Sequence, residues 1–318
     1  MIFLVATLPR WEKIRKEVTL TRSKSYLIIL AIFLVIPFVV PPFYASLAAK
    51  ILLFAILAMS LDILLGYTGL FSFGHVIGWG VGAYTVGILI THQVIHNFWI
   101  LLGLGLLFGL IINAILGFLA LRTSALYFAL VTLAFAEILR SVAVKWKTAT
   151  GGVDGLSGIP KPWQFGEISF YFLVLAAFVT CFILMRWLVD SRFGKILVGI
   201  RENESRMKSF GFHTWAYKYT ALLFTGLMAG VGGTLFCFFT GYVGPGDLGF
   251  GLSGQGLLMV LIGGMGTLIG PLIGSIVLVV LSDILSTYSG HWMLILGTLF
   301  VLSVIVFPKG IGGYFIKG

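Results

Sequence analysis

Long apolar runs, separated by short polar or glycine-rich breaks, make up most of the chain. Several runs reach the roughly 20 residues that a helix needs to cross about 30 Å of hydrocarbon. The runs between breakers predict helical segments at 26–43, 45–65, 70–91, 98–121, 124–144, 167–189, 216–240, 252–263, 270–288 and 291–307. This pattern predicts an all-α, polytopic membrane protein with about 8–10 transmembrane segments, some of them broken or short.

Composition and cysteine placement agree with that fold class. Of the 318 residues, 59% are hydrophobic and 10% are charged, whereas soluble domains average about 25% charged residues. Cys181 and Cys237 lie inside apolar runs, which favours two buried thiols over a disulfide. We expect a cytoplasmic basic segment, 1–25, and then a single transmembrane domain, 26–318, with a cytoplasmic loop at 190–217. The first apolar run is expected to be an uncleaved membrane helix, because a second long run follows at once.

The distribution of lysine and arginine predicts the orientation of the chain, because cytoplasmic loops of membrane proteins are enriched in both residues. Counting segments from a cytoplasmic N-terminus leaves few basic residues at the outer side: Lys50, Arg140, Lys145, Lys147 and Lys161. The cytoplasmic side receives the N-terminal cluster, Arg122, the 186–218 cluster, Lys309 and Lys317. We therefore expect both termini in the cytoplasm of a bacterial-type inner membrane. The net charge of +10 then records orientation, and no nucleic-acid partner is expected.

Glycine-rich interruptions break an apolar run in each half of the chain. The first lies in "GYTGLFSFGHVIGWGVGAY" and the second in "GGMGTLIGPLIGS". Irregular backbone at membrane depth occurs only where it is buried in protein or lines a watery cavity, so such a pair points to a translocation path. Tight helix packing through small residues is the alternative, and both can hold together. The candidate path residues in these stretches are Gly66, Gly69, Ser72, Gly74, His75, Gly263, Gly264, Gly266, Gly270 and Pro271.

Ionisable residues expected inside the bilayer are few: Asp62, Glu137, Arg140 and Asp283. Each is costly in hydrocarbon and needs a partner or water. Glu137 and Arg140 lie three residues apart on one helix face, which predicts an internal ion pair that orients the helix. A direct role for Glu137 in the translocation path is the alternative. A proton- or sodium-coupled carrier usually needs a relay of such groups, and this chain is poor in them.

Two loops expected at the outer side are rich in glycine and proline. They are "TGGVDGLSGIPKP", residues 150–162, and "GYVGPGDLGFGLSG", residues 241–254. Each carries one aspartate, Asp154 in the first loop and Asp247 in the second. Such loops could dock a soluble binding protein or merely connect helices, and the first is longer than a simple link requires.

The segment "SRFGKILVGIRENESRMKSFGFHTWAYK", residues 191–218, concentrates charge in an otherwise apolar chain. Its apolar side chains fall near one helical face, together with one asparagine: Ile196, Ile200, Asn203, Met207 and Phe210. Gly194 precedes this stretch as a breaker, and Gly211 follows as a C-cap. The pattern predicts one short amphipathic helix in a cytoplasmic loop. The helix could lie on lipid headgroups or fill a groove in a cytosolic partner.

Motifs for chemistry within this chain are missing from the sequence. Gly194 and Lys195 lack the earlier glycine and the following hydroxyl residue of a phosphate-binding loop. His92 and His96 have helical spacing but no third metal ligand nearby, and no nucleophile elbow occurs. We therefore expect no enzymatic chemistry within this chain, and no cofactor or metal bound to it.

Several motifs together resemble the LivM-type permeases of branched-chain amino-acid ABC importers. They are "IRENESRMKSFG" (200–211), "GYTGLFSFGH…GVGAY" (66–84), "LRTSALYFALVTLAFAEILR" (121–140), "TGGVDGLSGIP" (150–160), "DSRFGKIL" (190–197) and "GGMGTLIGPLIGS" (263–275). Each motif alone is weak, but they lie in order and cover nearly all of the chain after about residue 50.

The resemblance implies a set of partners and a coupling site. In that family a second, homologous permease completes the membrane part, two cytosolic ATPases bind ATP and Mg, and a periplasmic or lipid-anchored binding protein delivers the substrate. Membrane lipid surrounds the pair of permeases. The resemblance places the ATPase contact at Arg201, Glu202, Asn203, Glu204, Arg206 and Gly211.

Three alternatives stay open at the level of sequence. A urea-importer permease is a close relative with similar sequences, and "SLDILLGYTGL" suits it, whereas "GGVDGLSGIP" and the short chain favour amino acids. A stand-alone secondary carrier or channel belongs to a different class and is disfavoured by the scarcity of intramembrane charges. A membrane-bound enzyme has no motif in its favour.

Overall fold

The computed structural model describes residues 30–162, 166–288, 294–295, 297–298 and 310. Its contacts divide the chain into two compact units, Met1–Ala48 and Ala49–Gly318. In the first unit, the described residues form helix α1, Leu30–Val39, and the beginning of helix α2, which follows a break at Val40 and Pro41. The predicted basic segment, 1–25, and all but four positions of the last predicted helix, 291–307, lie outside the described residues.

Helices form almost all of the described chain after α1. In chain order they are α2 (Pro42–Asp62), α3 (Val76–Thr91), α4 (Phe98–Ala120), α5 (Ala125–Lys145), α6 (Lys147–Thr150), α7 (Glu167–Asp190), α8 (Arg192–Glu202), α9 (Glu204–Ser209), α10 (Thr214–Thr240), α11 (Phe250–Gly263) and α12 (Gly270–Tyr288). A π-helical turn, Ile63–Tyr67, extends α2, and 3₁₀ turns occupy Gly152–Asp154 and Pro245–Leu248. Strands β1 (Leu156–Ser157) and β2 (Tyr242–Val243) have two residues each.

The predicted fold class is confirmed. In the described part of the chain, six helical segments are long and apolar enough to cross a membrane: Pro42–Tyr67, Phe98–Ala120, Leu126–Lys145, Ile168–Asp190, Thr214–Thr240 and Gly270–Tyr288. Three shorter apolar helices, α1, α3 and α11, accompany them. Each segment predicted between 26 and 288 coincides with one of these helices, so the errors are confined to the segment ends.

Helix α2 with its π-helical turn is the most buried of the long segments. In its most apolar window 89% of the residues are buried, against 33% in α4 and 28% in α5. Apolar character alone does not explain this difference, because α4 is more apolar than α2 and lipid tails accept apolar side chains as readily as a protein interior does. The π-helical turn and the loop after it are held inside the second unit.

Glycine allows α3, α4 and α10 to pack backbone against backbone. A Cβ at Gly78 would lie 2.6 Å from the carbonyl oxygen of Gly226, and one at Gly233 would lie 2.6 Å from Trp79 Cα. Between α4 and α10, Asn113 fills the space over Gly226 and donates to the Gly109 carbonyl oxygen at 2.8 Å. Packing through small residues, the alternative considered for the glycine-rich stretches, is therefore correct for α3.

The two glycine- and proline-rich loops pair with each other. Strands β1 and β2 are antiparallel, with Leu156 opposite Val243 and Ser157 opposite Tyr242. Gly155 has a φ of +69°, and a Cβ there would lie 2.9 Å from Gly244 Cα. Glycine is needed at this position because other residues rarely adopt a positive φ and would also collide with the second loop.

Candidate functional site

A buried carboxylate joins the two glycine-rich interruptions. Asp62, the last residue of α2, has no exposed surface. Its Oδ1 accepts a hydrogen bond from Gly266 N at 2.7 Å, and its Oδ2 accepts one from Leu268 N at 3.4 Å. Backbone N–H groups in a loop that lies inside the protein need a hydrogen-bond partner, and the Asp62 side chain supplies it. Asp62 therefore fixes the loop between α11 and α12 against the end of α2.

The backbone itself makes this contact at Gly66 and Gly266. A Cβ at Gly66 would lie 2.8 Å from Gly266 Cα and would also overlap the Asp62 carboxylate. Gly266 has a φ of +74°, which glycine adopts without strain. Two glycines predicted for the translocation path, one from each half of the chain, thus touch each other.

Arg201 of α8 completes this cluster from the charged loop. Its Nη1 donates a hydrogen bond to the carbonyl oxygen of Gly66, 135 positions earlier in the chain. Its aliphatic stem lies over Gly69, where a Cβ would come within 2.8 Å of Arg201 Cγ. Despite these contacts Arg201 as a residue is exposed. We call Asp62, Gly66, Gly69, Arg201 and Gly266 the coupling joint.

Helix α8 begins earlier than the sequence predicted, and Gly194 is not a breaker. Ser191 is the N-cap and accepts a hydrogen bond from Gly194 N at 3.3 Å, so Gly194 lies in the first turn of α8. A Cβ at Gly194 would lie 2.7 Å from the carbonyl oxygen of Leu188 at the end of α7. The prediction of a break at Gly194 was wrong because glycine serves close packing there. The buried side chains of α8 are Leu197 and Ile200.

The predicted single amphipathic helix is divided at Asn203. This residue has an extended backbone, with φ −161° and ψ 96°, and its side chain accepts a hydrogen bond from Arg206 N at 2.9 Å. Asn203 therefore acts as the N-cap of α9, which explains why one helical face does not run from 196 to 210. Gly211 ends α9 with a φ of +85°. Gly211 N donates to Lys208 O and Phe212 N to Met207 O, which is a Schellman motif and confirms the predicted C-cap.

Glu204 ties α9 to α10. Its Oε2 accepts from Lys218 Nζ at 2.5 Å, and its Oε1 accepts from Thr214 Oγ1 at 2.9 Å and lies 3.2 Å from Lys208 Nζ. Partial burial alone would raise the pKa of the Glu204 carboxyl, but the hydrogen bonds from Lys218, Thr214 and Lys208 outweigh it and lower the pKa to about 2. Glu204 is thus ionised under all physiological conditions and fixes the turn between the two helices.

The remaining charged residues of this loop are accessible. Glu202 and Arg206 are exposed, and neither forms an ion pair with another described residue. Phe210 is 69% exposed at the end of α9, outside the membrane-spanning segments. We call Glu202, Arg206 and Phe210 the docking face. The side chains of Arg201, Asn203 and Glu204 thus form hydrogen bonds within the chain. Those of Glu202 and Arg206 form none with a described residue.

The other candidate path residues lie around the coupling joint without entering it. Ser72 is buried, and Gly74 lies against α5, where a Cβ would be 2.7 Å from Thr132 O. His75 Nε2 lies 2.7 Å from Ser60 Oγ, which itself donates to Leu57 O. The stretch between the π-helical turn and α3 is therefore fixed to both α2 and α5.

The second interruption is a tight hairpin between α11 and α12. A Cβ at Gly263 would lie 2.7 Å from Pro271 N and would also overlap the Gly270 carbonyl. Gly264 has a φ of +104°, a backbone conformation that strongly favours glycine. Gly263, Gly264, Gly270 and Pro271 thus shape the turn that presents Gly266 to Asp62.

The predicted ion pair between Glu137 and Arg140 is confirmed. Arg140 Nε lies 2.6 Å from Glu137 Oε2, and both side chains are partly exposed. Glu137 Oε1 also accepts a hydrogen bond from Phe250 N, at 3.3 Å, so the carboxylate caps the first turn of α11. A direct role of Glu137 in translocation stays a prediction.

The two aspartates predicted for docking have different environments. Asp154 is exposed in the first loop. Asp247 lies in the Pro245–Leu248 turn, where its Oδ2 accepts a hydrogen bond from Gly244 N at 2.9 Å, and burial raises the pKa of its carboxyl. Asp247 also lines a cavity of about 420 Å³ together with Lys50. That docking role stays a prediction for both residues.

Sequence reasoning missed the parts of the site that depend on long-range contacts. Asp62 was recognised as an intramembrane ionisable residue but was not assigned to the site, although it lies four positions before Gly66. Lys50 was used only to orient the chain. The available signal was the same for both residues: a charge inside an apolar run requires a partner, a ligand or water.

Comparisons with known proteins agree with the resemblance. The model of the family described as "Branched-chain amino acid transport system / permease component" matches residues 43–304. The high-affinity branched-chain amino acid transport system permease protein LivM of Escherichia coli is 30% identical over 91% of this chain and 75% of its own length. The LivM protein of Salmonella typhimurium gives the same values.

An archaeal relative extends the comparison. The probable branched-chain amino acid transport permease protein LivM of Methanocaldococcus jannaschii is 23% identical over 74% of this chain and 79% of its own length. No solved structure shows significant similarity to the chain. The family match covers the coupling joint and the docking face alike, and the chain therefore belongs to the family of branched-chain amino acid transport permeases.

Proposed function

We propose that this chain is one of two homologous permease subunits in an ATP-driven importer for branched-chain or other hydrophobic amino acids. Two cytosolic ATPases bind ATP and Mg and supply the energy, and a periplasmic or lipid-anchored binding protein delivers the substrate. The chain crosses a bacterial-type inner membrane with both termini in the cytoplasm. Family membership and the names of the relatives support the transport role and the amino-acid substrate.

One observation carries the mechanism: Arg201 connects the charged loop to both interruptions of the membrane helices. Its hydrogen bond to the Gly66 carbonyl fixes α8 to the π-helical turn. The same turn touches Gly266, and Asp62 holds the Gly266–Leu268 backbone. A displacement of α8 is therefore transmitted to irregular backbone in each half of the chain, which is where a path can open or close.

The docking face receives the force from the ATPase. The docking face offers a negative charge at Glu202, a positive charge at Arg206 and an exposed aromatic ring at Phe210. This combination suits a groove with complementary charges. Glu204 keeps α9 fixed to α10 through Lys218, so the two short helices move together with the membrane helix and do not swing freely. Closure of the ATPases on ATP then shifts the pair of permeases between outward and inward openings.

The proposal is tested by charge reversal on the docking face. The double variant Glu202→Arg/Arg206→Glu is co-expressed with the ATPases and the second permease, and the complex is purified through a tag on this chain. We expect the ATPases to be lost from the purified complex, because like charges then oppose each other across the interface. The matched control is Lys145→Glu/Lys147→Glu, which reverses two exposed charges at the end of α5 and in α6.

The outcomes distinguish an ATP-driven amino-acid importer from a stand-alone carrier and from a urea importer. ATPase retained at wild-type level with the reversed docking face, and ATP-driven uptake unchanged, would overturn the proposed coupling site. Leucine uptake by the wild-type complex in proteoliposomes that does not require ATP would indicate a stand-alone carrier. Uptake of urea in preference to leucine would assign the chain to the related urea importers.

A further inference from the structure

A cavity of about 420 Å³ lies between α2, α10, α11 and α12, beside the Pro245–Leu248 turn. This volume is within the range of about 300–1,000 Å³ that is typical of small-molecule sites. Its lining combines several apolar side chains with four polar ones: Lys50, Asp247, Gln255 and Ser282. The apolar part includes Phe54, Phe236, Met259 and Leu278.

The charged side chains of the lining and three of its apolar side chains lie at different ends of the cavity. On α2, Lys50 and Phe54 are one helical turn apart, or about 6 Å along the axis. On α12, Ser282 and Leu278 are also one turn apart. The relative directions of α2, α11 and α12 determine which of these residues lie at the same end of the cavity.

Helices α2 and α11 run in the same direction. Gly256 of α11 lies against Leu57 and Leu61, and Gly266, beyond the end of α11, meets Asp62 at the end of α2. Helix α12 returns antiparallel to α11, because Gly274 lies against Met259. Lys50, Asp247 and Ser282 therefore lie at one end of the cavity, and Phe54, Met259 and Leu278 lie farther along it.

The two charged groups at this end of the cavity, Lys50 and Asp247, can form hydrogen bonds and ion pairs that no described residue supplies. Lys50 forms no ion pair and no hydrogen bond within the described part of the chain, although it lies inside an apolar helix. An ammonium group in such a place requires an anion or water. Asp247 uses its Oδ2 for Gly244 N and leaves Oδ1 without a hydrogen bond to any described residue. One cation and one anion thus face the same cavity without neutralising each other within 4.0 Å.

We infer that this cavity binds a zwitterionic α-amino acid with an aliphatic side chain. Lys50 receives the carboxylate, Asp247 receives the ammonium group, and the side chain packs against Phe54, Met259 and Leu278. The inference rests on the proposed function and adds a substrate site within the permease itself. Such a site selects for both charges, because a ligand that lacks either one leaves Lys50 or Asp247 without a partner.

The test measures binding of tritiated L-leucine to the purified importer complex in lipid nanodiscs, without the binding protein. The variants are Lys50→Gln and Asp247→Asn, and asparagine keeps the acceptor for Gly244 N. The controls are Lys147→Gln and Asp190→Asn, which remove the same charges from exposed positions outside the cavity. We expect each cavity variant to weaken leucine binding about tenfold or more, and each control to leave it unchanged.

Competitors and conservative variants make the test specific. The amine 3-methylbutylamine and the acid 4-methylpentanoate each lack one charge of leucine, and neither should displace it at concentrations where unlabelled leucine does. Lys50→Arg and Asp247→Glu should recover part of the binding, because each restores the charge, which separates a ligand contact from a folding defect.

Two results would overturn the inference. One is wild-type leucine affinity in both cavity variants, and the other is the absence of saturable binding to the wild-type complex up to about 10 mM leucine. ATP-driven leucine uptake by the wild-type complex is measured in parallel. If uptake is present and the cavity variants do not affect it, the cavity is rejected and the proposed function stands. If no ATP-dependent uptake occurs, the proposed function fails by itself.

Discussion

Two glycine-rich regions of this chain bring backbones equally close, but only in one of them do ionisable side chains bond to the backbone at the contact. Where α3 meets α10, glycines such as Gly78 and Gly233 let the helices approach to a distance that a methyl group would prevent. At the coupling joint, Gly66 and Gly266 approach as closely, but the Asp62 carboxylate and the Arg201 guanidinium lie beside them. The same residue type thus serves packing in one region and a polar connection in the other.

The difference follows from the backbone. In α3 and α10 the backbone hydrogen bonds are made within each helix, so the glycines only need to be small. At the coupling joint the backbone is irregular, and its N–H and C=O groups need partners from elsewhere in the chain. Asp62 and Arg201 are those partners. Substitutions in the first region should therefore change stability, whereas those in the second should change transport.

The largest effect is expected for Gly233→Ala. The new Cβ would lie 2.6 Å from Trp79 Cα, and neither helix backbone can move without disturbing its neighbours. Overpacking of this kind costs about 1–3 kcal/mol, and more where backbone is the obstacle. We expect a clear fall in the thermal unfolding midpoint of the detergent-solubilised protein, together with lower accumulation in the membrane.

Gly103→Ala in α4 is the matched control. Apart from the neighbouring backbone of α4 itself, no atom lies within 4 Å of a Cβ at Gly103, so alanine fits and improves helix propensity by about 1 kcal/mol. The two substitutions should move the midpoint in opposite directions. Equal midpoints would show that the close approach at Gly233 does not contribute to stability. The role of packing assigned to the glycines of α3 and α10 would then be wrong.

The next effect concerns the coupling joint and is expected for Arg201→Gln. Glutamine is too short and carries no charge, so the connection to the Gly66 carbonyl is lost. A hydrogen bond from a charged donor is worth about 1.5–3 kcal/mol, so we expect ATP-driven leucine uptake to fall about tenfold or more. The complex should still contain its ATPases, because the docking face is intact. Uptake and ATP hydrolysis are measured on the same proteoliposomes.

Arg192→Gln is the control on the same helix, because Arg192 is exposed and forms no ion pair with a described residue. Asp62→Asn then tests whether the joint acts as a unit. If Asp62 and Arg201 act through the same backbone contact, the double variant should transport no worse than the poorer single variant. Full transport by Arg201→Gln, or strictly additive losses, would contradict the role assigned to the joint.

The sequence predicted the membrane helices well because their signal is local. A run of apolar residues is sufficient to predict a span, and the positions of α4, α5, α7 and α10 follow from it to within a few residues. Gly211 was also predictable, because a glycine after a charged helix end commonly adopts a positive φ. These predictions did not require any knowledge of which segments touch.

The coupling joint was only partly predictable because it depends on contacts across the chain. Gly66 and Gly266 were recognised as interruptions, but nothing in their local sequence indicated that they touch each other. Asn203 was assigned to a helical face because its spacing fits, whereas its side chain caps α9. Local hydrogen bonding of asparagine competed with the helix at this position, and periodicity alone cannot detect that competition.

The smallest effect is expected for Glu204→Gln, which tests whether the hydrogen-bonded part of the charged loop differs from the part without such bonds. Glu204 binds Lys218, Thr214 and Lys208, whereas its neighbour Glu202 is exposed without an ion pair in the described part of the chain. Since the carboxylate is partly exposed, we expect a loss of only about 0.5–1 kcal/mol in stability, read from thermal unfolding at pH 7. Glu202→Gln should leave the unfolding midpoint unchanged.

The pH dependence of the stability difference between wild type and Glu204→Gln gives a second and independent measurement. The pKa of Glu204 is lowered from its ordinary value of 4.5 to about 2, so its ionised form is favoured by folding. The stabilising contribution is complete above the unfolded pKa and is lost as the pH falls through the folded one. The gap between wild type and Glu204→Gln should therefore stay constant from pH 7 to about pH 5.5 and narrow below about pH 4.5. A gap that is already closed at pH 5.5 would show that Glu204 is not held by Lys218, and the charged loop would then be accessible throughout.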